Sequence, residues 1–301
     1  MARKRTGTKI RLSKGERAFE IFNYTFITIL ALSCVLPFIH LLAVSFSSAP
    51  AATAGRVGFW PVEFTLSSYE FAFGRTGILR SIWISVQRVG IGVPFSMLLT
   101  ILAAYPLSKS NRELPGRTII SWFFVFTMFV SAGLIPFFLV VSATGLRNSI
   151  WALVIPTAVS AWNITILLNV FRQIPKEYEE SALMDGASQF RILFQIYVPL
   201  ALATVAALVL FSSVGHWNEW FHGMIFIDLR VNQPMQTYLR GLIITPDFTL
   251  LDPEQILMML EISTRTFNAA QIMLGTVPIL LVYPFLQRYF VKGMALGGLK
   301  G

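Results

Sequence analysis

The segment Ile174–Pro199 reads IPKEYEESALMDGASQFRILFQIYVP and sets three closely spaced glutamates ahead of a glycine. Glu177, Glu179 and Glu180 place negative charge at the positive end of a helix dipole, and Pro175 can open that helix where its missing amide costs nothing. Gly186 supplies the left-handed residue that ends it. A second short helix over Phe190–Phe194 then precedes Pro199. Two short helices hinged at a glycine make a compact knob. Its Tyr178, Ala182, Leu183, Phe190 and Leu193 are available to fill a partner's groove, or equally to pack against the chain's own helix ends. The chemistry on offer is docking rather than bond breaking.

A second set of polar residues sits within or at the ends of apolar runs, where such groups are expensive and face a cavity or another helix. These are Asn163 and Asn169, then His216, Asn218 and Glu219, then Asn268 and Gln271. Trp162, Trp217 and Trp220 can stack on sugar rings, but tryptophan also belongs at membrane interfaces. The interfacial reading weighs more for Trp217 and Trp220 than for Trp162, and the polar residues with Trp162 and Trp217 mark a substrate pathway. Other chemistry is poorly supported. His40, His216 and His222 are too few and scattered for a metal site, and Cys34, the single cysteine, excludes an intrachain disulfide. GxxxxGK[ST], HExxH and GxSxG patterns are all missing, so the chain reads neither as a nucleotide binder nor as an enzyme.

The elements that position these residues follow from composition. Of 301 residues, 55% are hydrophobic and 13% charged, against about 25% charged in a soluble domain. Six runs free of Asp, Glu, Lys and Arg reach the roughly 20 residues needed to cross a bilayer: Ile21–Phe46, Val89–Ser108, Thr118–Leu146, Asn148–Phe171, Ile192–Asn218 and Thr266–Gln287. Each is expected as a helix, which satisfies its own backbone where water cannot reach. The first is too long for a signal peptide, whose apolar core is about 7 to 15 residues. Gly90, Gly92, Ala103 and Ala104 read as sites of close helix packing. The net charge of +9 forms no stripe suited to nucleic acid.

Basic residues set the orientation. The amino-terminal tail, the 109–117 and 172–191 loops and the carboxyl end hold 16 Lys and Arg, whereas the alternate loops hold 6. The richer set is cytoplasmic by the positive-inside rule. The expectation is an all-α integral membrane protein of six transmembrane helices, both termini cytoplasmic, with the knob in a cytoplasmic loop between spans four and five. A basic tail occupies 1–20, the six-helix domain 21–291 with the two short helices of the knob at 175–194, and a carboxyl tail 292–301. Pro50, Gly55, Gly58 and Pro61 are expected to break regular structure in the first outer loop, and Pro253–Ile262 to form a short interfacial helix.

The knob resembles the EAA loop of binding-protein-dependent ABC importer permeases, a Glu-Ala-Ala, three residues, Gly, nine residues, Ile-x-Leu-Pro pattern. Glu180, Ser181 and Ala182 lead after three residues to Gly186, and after nine more to Ile196, Tyr197, Val198 and Pro199. Pro61, Thr65, Leu66 and Tyr69, Tyr105 through Arg117, and the Arg288–Gly301 tail resemble the carbohydrate, maltose-type branch. Gly133–Ser188 is similar to a subgroup associated with complex polysaccharides and larger glycans.

The resemblance implies a permease subunit in the bacterial inner membrane, paired with a second permease. Two ATPase subunits that bind ATP and Mg and an extracytoplasmic solute-binding protein complete the machine, and this chain holds no cofactor. Glu180, Ser181, Ala182, Asp185 and Gly186 would form the ATPase-coupling site. The substrate would be an oligosaccharide or polysaccharide, with alginate-like or pectic acids among the candidates, which Arg230, Arg240 and Arg265 would attract. A permease for a non-sugar solute is one alternative. An ion-coupled secondary transporter is another, disfavoured because no acidic residue falls within the six runs.

Overall fold

The computed structural model describes residues 13–74, 77–244 and 262–297. Every regular element among them is helical. The chain forms two compact units, one of residues 1–71 with 253–273 and one of residues 72–252 with 274–301.

The first unit is built on α1 (Lys14–Ser45), which contains the first apolar run. It starts earlier than that run because Ser13 and Glu16 form a reciprocal capping box, with bonds of 2.7 and 3.2 Å. Only Ala43, Val44 and Ser45 at its end are buried. The following loop is more regular than its prolines and glycines suggest. Pro50 falls in the first turn of α2 (Ala49–Thr53), behind the Ser48 cap, a position where proline favours a helix rather than breaking it. Phe46 stacks on Phe64, with centroids 5.5 Å apart, and its carbonyl accepts from the Thr65 amide at 3.0 Å. Tyr69 of α3 (Ser67–Gly74) bonds Ser45 at 2.8 Å. Arg265 donates to the Ala52 carbonyl at 3.1 Å, and Phe267 meets Phe71 edge-on at 5.2 Å. The expected interfacial helix lies, except for Ile262, outside the described residues, as do tail residues 1–12 and 298–301.

The second unit is organised around α4 (Ile78–Ser108), which packs against α8 (Ala161–Arg172) and α12 (Leu202–Asn218). Val93, Met97, Ile101 and Ala104 of α4 meet Ile164, Leu167 and Phe171 of α8 and Leu208 of α12 in one core. Where α4 crosses α12, a side chain on Gly92 would lie 2.9 Å from the ring of buried His216, so any larger residue must push that ring aside. Gly90, read in the same way from sequence, has open space around it.

Several expected spans are not straight. The third run divides into α5 (Arg117–Phe129) and α6 (Leu134–Ala143), bent by 116° after Val130 turns extended. The fourth holds α7 (Trp151–Val154) with a 3₁₀ turn to Thr157, then α8 at 49°. The fifth follows α9 (Glu177–Met184) and α10 (Gln189–Ile192) through a π-turn at Leu193–Tyr197 and α11 (Val198–Leu200), then bends by 84° into α12. Pro199 explains the widened turn, since its ring clashes with the carbonyl four residues back. Helices α1 and α4 are each long and apolar enough to cross a membrane, and the three bent pairs pass that test jointly, giving up to five crossings among the described residues. The sixth run lies in the last helix, Thr264–Gly297, numbered α15. The second span expected at Val89 belongs to a helix that starts at Ile78.

Beyond α12, α13 (Phe221–Phe226) and α14 (Met235–Ile244) fold back on this unit, and α14 packs on α4. The Met235 amide donates to Ser85 at 2.8 Å. Asp228 is held by Asn148 at 2.8 Å and Arg147 at 2.7 Å, hydrogen bonding first and charge second, which lowers its carboxyl below the usual value.

The two glycines give a direct test of this packing. Gly92→Ala should destabilise the detergent-solubilised chain by about 1–3 kcal/mol through overpacking against His216, whereas Gly90→Ala should be neutral or stabilising by up to about 1 kcal/mol. Paired thermal unfolding curves measure both.

Candidate functional site

The knob is built from local signals. Helix α9 begins at Glu177, two residues beyond Pro175, and carries Glu177, Glu179 and Glu180 in its opening turn. Gly186 takes φ +76°, letting the Ala187 amide reach the Ala182 carbonyl at 2.9 Å and the Gly186 amide reach Leu183 at 3.0 Å. This pair of bonds is a Schellman closure, which satisfies the last carbonyls of the helix. Ser188 then caps α10 by accepting from the Arg191 amide at 3.3 Å.

The knob's two faces differ. Ala182 and Ala187 are partly buried and turn inward onto the core, and Leu193 is buried within it. Tyr178, Leu183 and Phe190 stay exposed with Met184, which is 88% exposed and was not foreseen. Glu180, Ser181, Asp185 and Gly186 line the same exposed surface. An apolar patch of this kind, rimmed by carboxylates, is suited to receive a partner. Behind it, a cavity of about 550 Å³ opens between the knob and the turn after α4, lined by Lys109, Glu113, Glu179, Glu180, Leu183 and Phe190 among others. The Ser110 backbone amide, reinforced by Lys176 at 3.3 Å, holds the Glu113 carboxyl below its usual value.

A second cluster lies between α4, α8 and α12. Arg88 is 1% exposed, and its guanidinium meets the Glu219 carboxylate at 2.6 Å and the Glu219 carbonyl at 2.9 Å. Glu219 also caps the next helix, accepting from the His222 amide at 2.8 Å. Asn163 donates to Ser212 at 3.3 Å. These residues border a cavity of about 290 Å³ that Ser96, Thr157 and Ser160 complete. Of the predicted pathway residues, the fold therefore brings together Asn163, His216 and Glu219. Trp162, Asn169 and Asn218 are exposed, and Trp217 is buried with its indole donating to the Gly275 carbonyl at 2.9 Å. Trp217 thus packs between helices and lines an apolar cavity of about 380 Å³ with Val86, Gly90 and Leu210. Asn268 and Gln271 belong to the other unit, where Gln271 is fully buried.

Sequence reasoning set Arg88 near the entry to the second span and missed its role, because the charge-free run starts at Val89. The signal was present nonetheless. Ser81, Ser85, Arg88, Gly92, Ser96 and Thr100 recur at the helical period and all lie buried on one side of α4.

The family model for the binding-protein-dependent transport system inner membrane component matches residues 96–296. The chain belongs to that family. The polygalacturonan/rhamnogalacturonan transport system permease protein YtcP of Bacillus subtilis is 39% identical, over 95% of this chain and 99% of that one. The protein LplC of the same organism is 35% identical, over 96% and 97%. A crystal structure of a bacterial ABC transporter involved in the import of the acidic polysaccharide alginate includes a chain that superimposes with a TM-score of 0.83 at 32% identity, covering 94% of this chain and all of that one. In an inner membrane component the apolar flanks of α1, exposed as far as Ile39, are suited to lipid.

Removing one partner of a buried ion pair strands the other, at a cost of about 3–5 kcal/mol. Arg88→Met should therefore lower the melting temperature and membrane yield sharply. The double variant Arg88→Met/Glu219→Gln should recover most of both, because it leaves no unpaired charge.

Proposed function

We propose that this chain is one of two permease subunits of an ATP-driven importer that takes up an acidic oligosaccharide or polysaccharide fragment handed over by a solute-binding protein. The observation that carries the reading is the knob, in which a helix, a Schellman turn at Gly186 and a capped second helix present exposed apolar side chains among carboxylates. That surface suits the cleft of a separate ATPase subunit. Glu180, Ser181, Ala182, Asp185 and Gly186 form or support the coupling site, with Ala182 acting from beneath. This chain has no phosphate-binding loop of its own, so ATP and Mg are handled by the partner subunits.

In this reading α1, α4, the three bent pairs and α15 make six crossings, with both termini and the knob on the cytoplasmic side. The tail 1–20, the permease domain 21–291 and the tail 292–301 keep the bounds expected from sequence. The solute class is supported by the relatives, one named for polygalacturonan and rhamnogalacturonan and another for the acidic polysaccharide alginate. Arg240 lies 3.7 Å over the Trp220 ring, so its charge is held in place on the face proposed to meet the incoming glycan. Asn163, His216 and Glu219 border the polar cavity and are the pathway residues best placed for hydroxyl groups.

Closure of the ATPases would move the knob as a rigid body and rock the helices between inward-open and outward-open arrangements. Gly186→Trp forces a side chain into a left-handed backbone position and into the docking surface. Transport and glycan-stimulated ATP hydrolysis by the reconstituted complex should both drop about tenfold or more. Wild-type values for both would remove the coupling assignment.

A further inference from the structure

The knob is tied to the helix bundle by more than its backbone. Lys109, the residue capping the end of α4, places its ammonium 4.0 Å from the Tyr105 ring centre and 4.6 Å from that of Tyr197. Its Nζ lies 2.5 Å from Oε2 of Glu179 on α9, and the Tyr197 hydroxyl donates to that same oxygen at 2.8 Å. Tyr105 donates to Gln189 of α10 at 2.5 Å. The rings of Tyr105, Tyr197 and Phe171 meet edge-on at 5.0, 5.5 and 6.5 Å. Three elements therefore meet at the ammonium itself, α4, α9 and the π-turn, and α8 and α10 join the cluster through the two tyrosines.

The pair is nearly closed to solvent, at 12% and 14% exposure, so it is not a screened surface contact. Nor does stability by itself account for it. A buried ion pair can be replaced by apolar residues of similar volume at little loss, and what a satisfied cage adds is a fixed geometry. That geometry separates two neighbouring glutamates. Glu180 stays exposed beside the cavity, whereas Glu179 is held by Lys109 of α4.

We propose that Lys109, Glu179 and Tyr197 are positioning residues that form a rigid joint between the knob and α4, so that displacement of the knob is delivered to the helix on which α8 and α12 pack. The proposal rests on reading the knob as the ATPase contact. Without the joint, α9 keeps the 173–176 segment, the Gly186 turn and the light inward packing of Ala182, and motion at its surface would be absorbed there. With it, α9 cannot tilt without carrying the end of α4.

The test uses the whole complex, with partner permease and ATPase subunits, in proteoliposomes. Uptake of oligogalacturonate from its loaded binding protein and ATP hydrolysis are measured together. Lys109→Met/Glu179→Gln leaves no unpaired charge, and should import about tenfold less oligogalacturonate per ATP hydrolysed. Tyr197→Phe should shift that ratio in the same direction, and Lys109→Arg, which keeps the cation in its cage, should hold it at the wild-type value. A wild-type ratio in the double variant and in Tyr197→Phe overturns the joint. If the double variant fails to accumulate, Tyr197→Phe alone decides. The underlying reading is checked separately by crosslinking Met184→Cys to the ATPase, in a Cys34→Ser background, with a cysteine-to-amine reagent. No crosslink in the otherwise unaltered chain removes the ATPase contact itself. A crosslink retained in the double variant with its ratio lost supports the joint, and a crosslink lost there overturns it, because the cluster would then serve docking.

Discussion

The close approach of α4 to α12 is the constraint on which the larger unit depends. It is set at two neighbouring points, the missing side chain of Gly92 against the His216 ring and the guanidinium of Arg88 against Glu219. In lipid there is no water to be released when two helices meet, so shape and polar pairing must hold them. Gly92 provides the shape and Arg88 the pairing. The core that α4 shares with α8 sits on the same helix, and the cage around Lys109 closes its far end. One helix thus carries the Arg88 cluster on one side of that core and the Lys109 cluster at its end.

Much of this was legible in the residues, though unevenly. The knob was legible because its signals are local: acidic first turn, left-handed glycine, serine cap. Its outer and inner faces were not, since Ala182 and Leu193 turn inward for reasons of tertiary packing that spacing alone does not reveal. Apolar runs located helical material reliably, but they could not show bends. The third, fourth and fifth runs are each continuous in composition and broken in space, because a bend needs only a few residues leaving helical dihedrals, and those residues can be as apolar as the rest. Pro50 shows the opposite failure, a residue read as a breaker that opens a helix.

The polar pathway was half legible. Asn163, His216 and Glu219 converge because α8 and α12 both face α4, whereas Asn169 and Asn218 point to the exterior. The pairing of Arg88 escaped notice because a rule that forbids charge in lipid cannot see a charge that brings its partner. Glu179 escaped for a related reason. Read as a dipole charge it explains the helix start, and nothing in its spacing points to a lysine seventy residues upstream.

The bond from Trp217 to the Gly275 carbonyl spans 58 positions of the chain. Translation is vectorial, so α12 leaves the ribosome well before its acceptor exists. The native partner of the indole therefore exists only once residue 275 has been made, so this contact between α12 and α15 closes late in the assembly of the larger unit.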